Sequence, residues 1–229
     1  MRKLLFALLL AFASTAIAVD ETAGCAACLN TAPTIDHQNF VGDFRGKSFV
    51  GRKDLRYASF EGDISGADFS GCDLTGASIK GLAMNANFKD AIMRGFVFKN
   101  VNAAGSNFEH ADLSRALVSG RFSDGNFKMA ILDFANGEDS NFDRAAFDYA
   151  SIYRFKGLSS SFFKARLYRT TIIETVLYNV NLALADISSA IFLNNDLRKT
   201  NQYHINWAKA RYAKNNKMAG RFFELANPQ

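Results

Sequence analysis

The sequence predicts an all-β solenoid: a four-sided parallel β-helix of about eight coils, closed by a short helical cap. Three observations carry that prediction. From Phe127 to Leu197 a central residue recurs every five positions, and thirteen of the fifteen are Phe, Leu or Ile. Two positions before each centre the residue is usually small, as at Ala130, Ala145, Ala165 and Ala190. The only prolines, Pro33 and Pro228, lie outside the repeats, where no backbone bond between coils is lost. A five-residue period suits neither a helix nor a half-buried strand. Two inward residues in every five turn the chain by about a quarter circle, so about twenty residues close one coil, stacked at ~4.8 Å.

Residues 1–18 read as a secretory signal peptide. Met1, Arg2 and Lys3 precede the apolar run Leu4–Ala13, and Ala16-Ile17-Ala18 is an A-x-A exit site. The protein is therefore expected to be exported, to the periplasm or the medium, or to a lumen in a photosynthetic cell. The run is too short for a comfortable membrane span, and the mature chain is expected to have none. Removing it changes the formal charge from +5 to +3, with 25 basic against 22 acidic residues. That near balance argues against nucleic acid as a partner.

Residues 19–41 are expected to cap the first coil. Export permits disulfides, and Cys25 and Cys28 are the only close cysteine pair, so a local disulfide is expected there. Redox activity is the weaker reading, because no βαβ pattern surrounds this C-x-x-C. Leu29 stands where a haem-attachment histidine would be required, and only His37 lies near enough to join a zinc set.

Residues 42–200 hold the repeats. Before Phe127 the rhythm slips: Ile64, Phe69, Leu74, Ile79 and Met84 share one register, and Phe88 to Val118 another, one residue short of it. The stretches Ala67-Asp68-Phe69, Ala86-Asn87-Phe88, Ala111-Asp112-Leu113 and Ala185-Asp186-Ile187 show the unit A-(D/N)-L-x-x. This pattern resembles the pentapeptide repeat family over roughly residues 42–200. The resemblance implies a right-handed, four-sided β-helix. It implies little about function, since the family includes acidic DNA mimics that bind topoisomerases and many exported or lumenal proteins of unassigned role.

Residues 201–229 lose the rhythm and show helical spacing instead, at Ile205, Ala208, Tyr212, Ala219, Phe222 and Phe223. A helical cap over the last coil is expected, with Tyr212, Phe222 and Phe223 as its apolar contacts. The resemblance adds pairing of two copies through such a lid as a second role. The basic residues Lys209, Arg211, Lys214, Lys217 and Arg221 read as a solvated face, with an acidic partner or anionic surface as the alternative.

Residues just after each centre should face solvent. Between 153 and 178 they are Tyr153, Leu158, Phe163, Tyr168, Ile173 and Tyr178. Such a band is either a contact surface, formed by Tyr153, Phe163, Tyr168, Ile173 and Tyr178, or a set of rings lying flat along the wall. On one face Ile131, Phe134, Ile191 and Leu193 widen it. Gly137 and Gly157 leave two core positions empty in one column, which predicts a dent, a bulge filled by Phe155, or a ligand slot.

No catalytic residue, metal site or cofactor is predicted. The three histidines fall in separate regions, Cys72 occupies an inward slot, and the aspartates suit backbone bonding at corners. The functional expectation is a non-enzymatic, exported, rigid rod for protein–protein interaction or scaffolding, whose partner is another protein or a second copy. The alternatives are topoisomerase inhibition by DNA mimicry and thiol–disulfide exchange through Cys25 and Cys28.

Overall fold

The five-residue unit is a short bridge followed by a turn. In one example the Ala135 N–H donates to the Leu132 carbonyl at 3.1 Å, with Phe134 between them at φ 60°. A positive φ at the third turn residue is the signature of a type II turn. Each centre then bonds the next coil, as when the Phe127 N–H donates to the Ala146 carbonyl at 2.7 Å. The computed structural model describes residues 38–218 and the backbone of 221–223.

Repeated four times per coil, this unit builds a parallel β-solenoid of about nine coils. We number its faces by their core columns. Face I begins with Phe40 and Phe60, face II with Phe44 and Ile64, face III with Phe49 and Phe69, and face IV with Leu55 and Leu74. Face III stacks Phe49, Phe69, Phe88, Phe108, Phe127 and Phe147 with successive ring centroids 4.6–5.3 Å apart and planes within 12°. Those spacings follow from the coil repeat, and each stacked pair adds roughly 0.5–1.5 kcal/mol beyond its area burial.

Face I is a five-stranded sheet of β1 (Asn39–Asp43), β2 (Ser59–Asp63), β3 (Ser78–Leu82), β4 (Val97–Asn102) and β5 (Leu117–Arg121), paired in that order. The rhythm slips here. In β1, β2, β3 and β5 a glycine (Gly42, Gly62, Gly81, Gly120) sits at φ 127–135° and shortens the step to the next centre to four residues. A Cβ at Gly62 would overlap the Gly42 carbonyl oxygen, so only glycine lets the strands approach there. In β4, Asn100 at φ 52° and the buried Val101 restore the five-residue step. The slip at β3 places Ala83 in the core and leaves Met84 half-buried, correcting the register assigned to Met84.

Face IV carries the second sheet, of β6 (Ser151–Tyr153), β7 (Thr171–Ile173), β8 (Ile191–Leu193) and β9 (Tyr212–Lys214). The helical cap expected over 201–229 is not found among the described residues. The chain makes a single 3₁₀ turn at Trp207–Lys209, then β9, then β10 (Asn216–Met218), which pairs antiparallel with β11 (Arg221–Phe223). Tyr212 lies in β9, and Phe222 and Phe223 in β11. The reason is the open backbone edge of the last coil. Strand β9 pairs in parallel with β8, and the Leu197 N–H donates to the Lys217 carbonyl at 2.8 Å. An edge of unpaired N–H and C=O groups is better satisfied by more strand than by a helix. Ala213 then extends the face IV core column beneath Phe192, and the Trp207 ring packs 5.0 Å from Phe192.

Candidate interaction face

Face IV is the apolar side of the rod. Its outward positions include Ile131 and Phe134, which are 39% and 44% exposed, and the half-buried Tyr153, Ile173, Ile191 and Leu193. Along its border with face III stand Met129, Tyr149 and Tyr168, the first two about half exposed. Face III is more polar at the same depth. Face III carries a ladder in which Asn87, Asn107 and Asn126 each donate an amide hydrogen to the side-chain oxygen one coil back, at 2.9, 3.2 and 2.9 Å. The same Asp and Asn oxygens accept the N–H two residues on, as at Asp68 and Ser70.

The five band residues separate by corner. Tyr153, Tyr168 and Ile173 border face IV, whereas Phe163 lies at the face II–III corner and Tyr178 at the face I–II corner. The four aromatic members each carry a cation. Arg154 stands 5.1 Å from the Tyr153 centroid, Lys164 5.1 Å from Phe163, Arg169 5.3 Å from Tyr168, and Arg198 5.5 Å from Tyr178. Phe134 meets Tyr153 edge-on at 5.3 Å, and Tyr149 meets Tyr168 likewise at 5.7 Å. The Arg154 Nε donates to Glu174 Oε2 at 2.7 Å, and this bond holds the Glu174 carboxyl below its ordinary range. The Tyr153 hydroxyl donates to the same oxygen at 3.2 Å. These rings are therefore ordered against the wall while keeping an outer surface.

Two signals that the five-residue pattern obscures point to the same end of the rod. The third turn residue, always left-handed, is glycine at Gly46, Gly51, Gly66, Gly71, Gly76, Gly95 and Gly105. From His110 to His204 it is never glycine and includes Met129, Phe134, Tyr149, Arg154 and Arg169. A side chain there costs roughly 1–2 kcal/mol relative to right-handed backbone, so the second half of the rod displays side chains where glycine would be easier. Charge segregates further along the rod, after Asp148. Residues 39–148 carry thirteen Lys and Arg against fifteen Asp and Glu, and residues 149–218 carry eleven against three. The near-neutral total conceals this, and a charge sum taken by halves would have revealed it.

The gap at Gly137 and Gly157 is closed. Phe155 is fully buried, and a Cβ at Gly137 would overlap its ring while one at Gly157 would lie 2.8 Å from it. A ring entering from the corner thus replaces two missing side chains, which leaves no ligand slot. The void lined by Ile152, Phe162, Leu167, Ile172, Leu177 and Leu182 measures about 10 Å³ and is wholly apolar. Cys72 is buried, its thiol donates to the Phe49 carbonyl at 2.8 Å, and burial raises its pKa. Among the described residues no group of His, Cys, Asp and Glu is placed to hold a metal, and no helix is long and apolar enough to cross a membrane. The signal-like segment, Cys25 and Cys28 lie outside the described residues.

The coil architecture and its outward band define a solenoid built of five-residue units. The family model described as "Pentapeptide repeats (8 copies)" matches residues 54–85 and 84–120. Residues 54–120 thus match the pentapeptide repeat family, and the same five-residue unit runs on to Leu197. Similar solved structures include HetL, a pentapeptide repeat protein involved in heterocyst differentiation regulation from the cyanobacterium Nostoc sp. strain PCC 7120. It is 17% identical over 83% of this chain and 93% of its own, with a TM-score of 0.42. Full-length QnrB1, a plasmid-mediated fluoroquinolone resistance protein, is 17% identical over 79% and 91%, with a TM-score of 0.46. A pentapeptide repeat protein of the Arabidopsis thaliana thylakoid lumen is 27% identical over 46% and 65%, with a TM-score of 0.22. No curated protein sequence matches the chain.

Proposed function

We propose that this protein is an exported, non-enzymatic rod that docks a protein partner on face IV. The observation that carries this reading is the change at the left-handed corner positions, from mostly glycine before residue 106 to bulky and charged side chains after it. Exposed apolar side chains such as Ile131 and Phe134 are unfavourable in water by about 25 cal/mol per Å², and covering them recovers that energy. The signal-like residues 1–18 support export. The basic second half disfavours the alternative of DNA mimicry, which needs a strongly negative surface.

The test compares wild type with Ile131→Ser, Phe134→Ser and Ile191→Ser combined, all at outward positions. Partner recovery by cross-linking in the native compartment, and mass in solution by sedimentation, should both be read. Loss of a cross-linked protein supports docking of another chain, and loss of a dimer assigns face IV to a second copy. Unchanged recovery and mass would reject the proposal.

A further inference from the structure

We infer that the partner's contact segment is an acidic amphipathic helix lying along face IV, an inference that rests on the docking role proposed above. Three features of the face specify such a segment. Its apolar side chains are Ile131 and Ile191, with Ser151 and Thr171 between them, and Ile173, Leu193 and Phe134 toward the face I corner. The corner toward face I carries Arg115 and Arg154, the latter paired with Glu174 in the same column, and the corner toward face III carries Arg169 and Lys209. Arg115, Arg169 and Lys209 form no ion pair within 4 Å with any described residue, although Lys209 lies near enough to Asp186 to help lower its pKa. Arg115 stands 5.5 Å from the Phe134 centroid and Arg169 5.6 Å from that of Tyr149, which holds both guanidinium groups beside the apolar strip.

A strip of apolar side chains between two corners that carry cations is complementary to a helix with an apolar stripe flanked by carboxylates. A strand is excluded as the binding mode along this face. The sheet β6–β9 is paired within the rod, so its backbone edges lie at the coil ends rather than along the face. Length also agrees. Six rungs from Leu113 to Ala213 at ~4.8 Å span about 24 Å, the length of about 16 helical residues at 1.5 Å each. A polyphosphate would engage the corner cations and leave the apolar side chains uncovered, which makes carboxylates on a protein segment the better match.

The test uses the full-length protein and two fluorescent synthetic helices of that length, with the same leucine stripe and either glutamate or lysine flanks. Binding is followed by anisotropy. The glutamate helix should bind at least about tenfold more tightly than the lysine helix and weaken as salt rises from about 50 to about 300 mM. The double variant Arg115→Glu, Arg169→Glu, with an unchanged circular dichroism spectrum and melt, should reverse that order. Equal binding of the two helices, no binding of either, or an order unchanged in the double variant would overturn the inference. So would a short DNA duplex or phosphatidylglycerol vesicles displacing the glutamate helix, which would assign the cations to phosphate. If the glutamate helix fails while native partner recovery still depends on Ile131, Phe134 and Ile191, docking on face IV stands and the acidic helix falls.

Discussion

The Asn195 side-chain amide donates to the Asn216 side-chain oxygen at 2.9 Å, and both residues are fully buried one coil apart. Asn195 Oδ1 in turn accepts from the Thr175 N–H and hydroxyl, and the Asn216 amide donates to the Phe192 carbonyl at 2.8 Å. This polar ladder occupies the inward slot filled by alanine at Ala58, Ala77 and Ala116 in earlier coils. It ties β10 to the coil before it.

Breaking the ladder should loosen the last coils selectively. Asn216→Ala leaves the Phe192 carbonyl and the Asn195 backbone N–H without partners, while the Asn195 side-chain amide keeps the Ile172 carbonyl, and should cost about 2–3 kcal/mol. Hydrogen exchange should speed up at residues 191–218 and stay slow at 60–150. Uniform acceleration would mean that the ladder is not a local fastener.

Phe155 is predicted to be a keystone for two coils. Phe155→Ala should lower stability by about 3–5 kcal/mol through the cavity it leaves. Adding Gly157→Leu to that variant refills the column above Leu177 and should restore at least half of the loss. Gly157→Leu alone should destabilise, because the new side chain meets the Phe155 ring. Urea midpoints of the three variants read this directly, and absence of rescue would refute the account.

Glycine substitutions should divide by position. Gly62→Ala drives a Cβ into the Gly42 carbonyl and should unfold the first coils, whereas Gly46→Ala meets nothing within 4 Å and should cost only about 1 kcal/mol. The reverse change is expected to help. Leu184, exposed at φ 60°, should give a more stable protein as Leu184→Gly, by about 0.5–1 kcal/mol. A lower melting temperature in that variant would contradict the reading of the corners as displaying side chains at a cost.

Acid should destabilise the rod through its paired carboxylates. Hydrogen bonds from Arg52 to Asp54, from Ser188 to Asp186 and from Arg198 to Asp196 hold these groups below their ordinary value of 3.8, against the opposing effect of burial. The unfolded chain therefore binds protons more readily than the folded one. Their contribution is complete above the ordinary value and is lost as pH falls through the lower folded values. Melting temperature should be level from neutrality to about pH 5 and decline below about pH 4. Asp196→Asn should reduce that decline, and an identical profile would exclude Asp196 from it.

Much of the fold was legible because the rule that builds it is local. A large residue at Phe127 and a small one two positions before it turn inward whatever lies elsewhere, so the period of five appears in any short window. The band at Tyr153–Tyr178 was visible for the same reason. Its division among corners was not, because which residues share a face depends on the four-residue steps at Gly42, Gly62, Gly81 and Gly120. The register at Ala83 and Met84 was misread for that reason. The tail was misread because the apolar spacing of Ile205, Ala208 and Tyr212 satisfies a helix locally, while the backbone edge that recruits β9 and β10 belongs to the preceding coil.

The sequence by itself therefore determined the five-residue unit, the solenoid and the inward columns, because each follows from side chains within one turn of the chain. Only the tertiary structure decided that Phe155 closes the gap at Gly137 and Gly157, that the tail continues as strand, and that Ile131, Phe134, Tyr153 and Ile191 share one face. Each of these depends on contacts between residues about a coil apart, where backbone edges and ring volumes meet and no local pattern records the outcome.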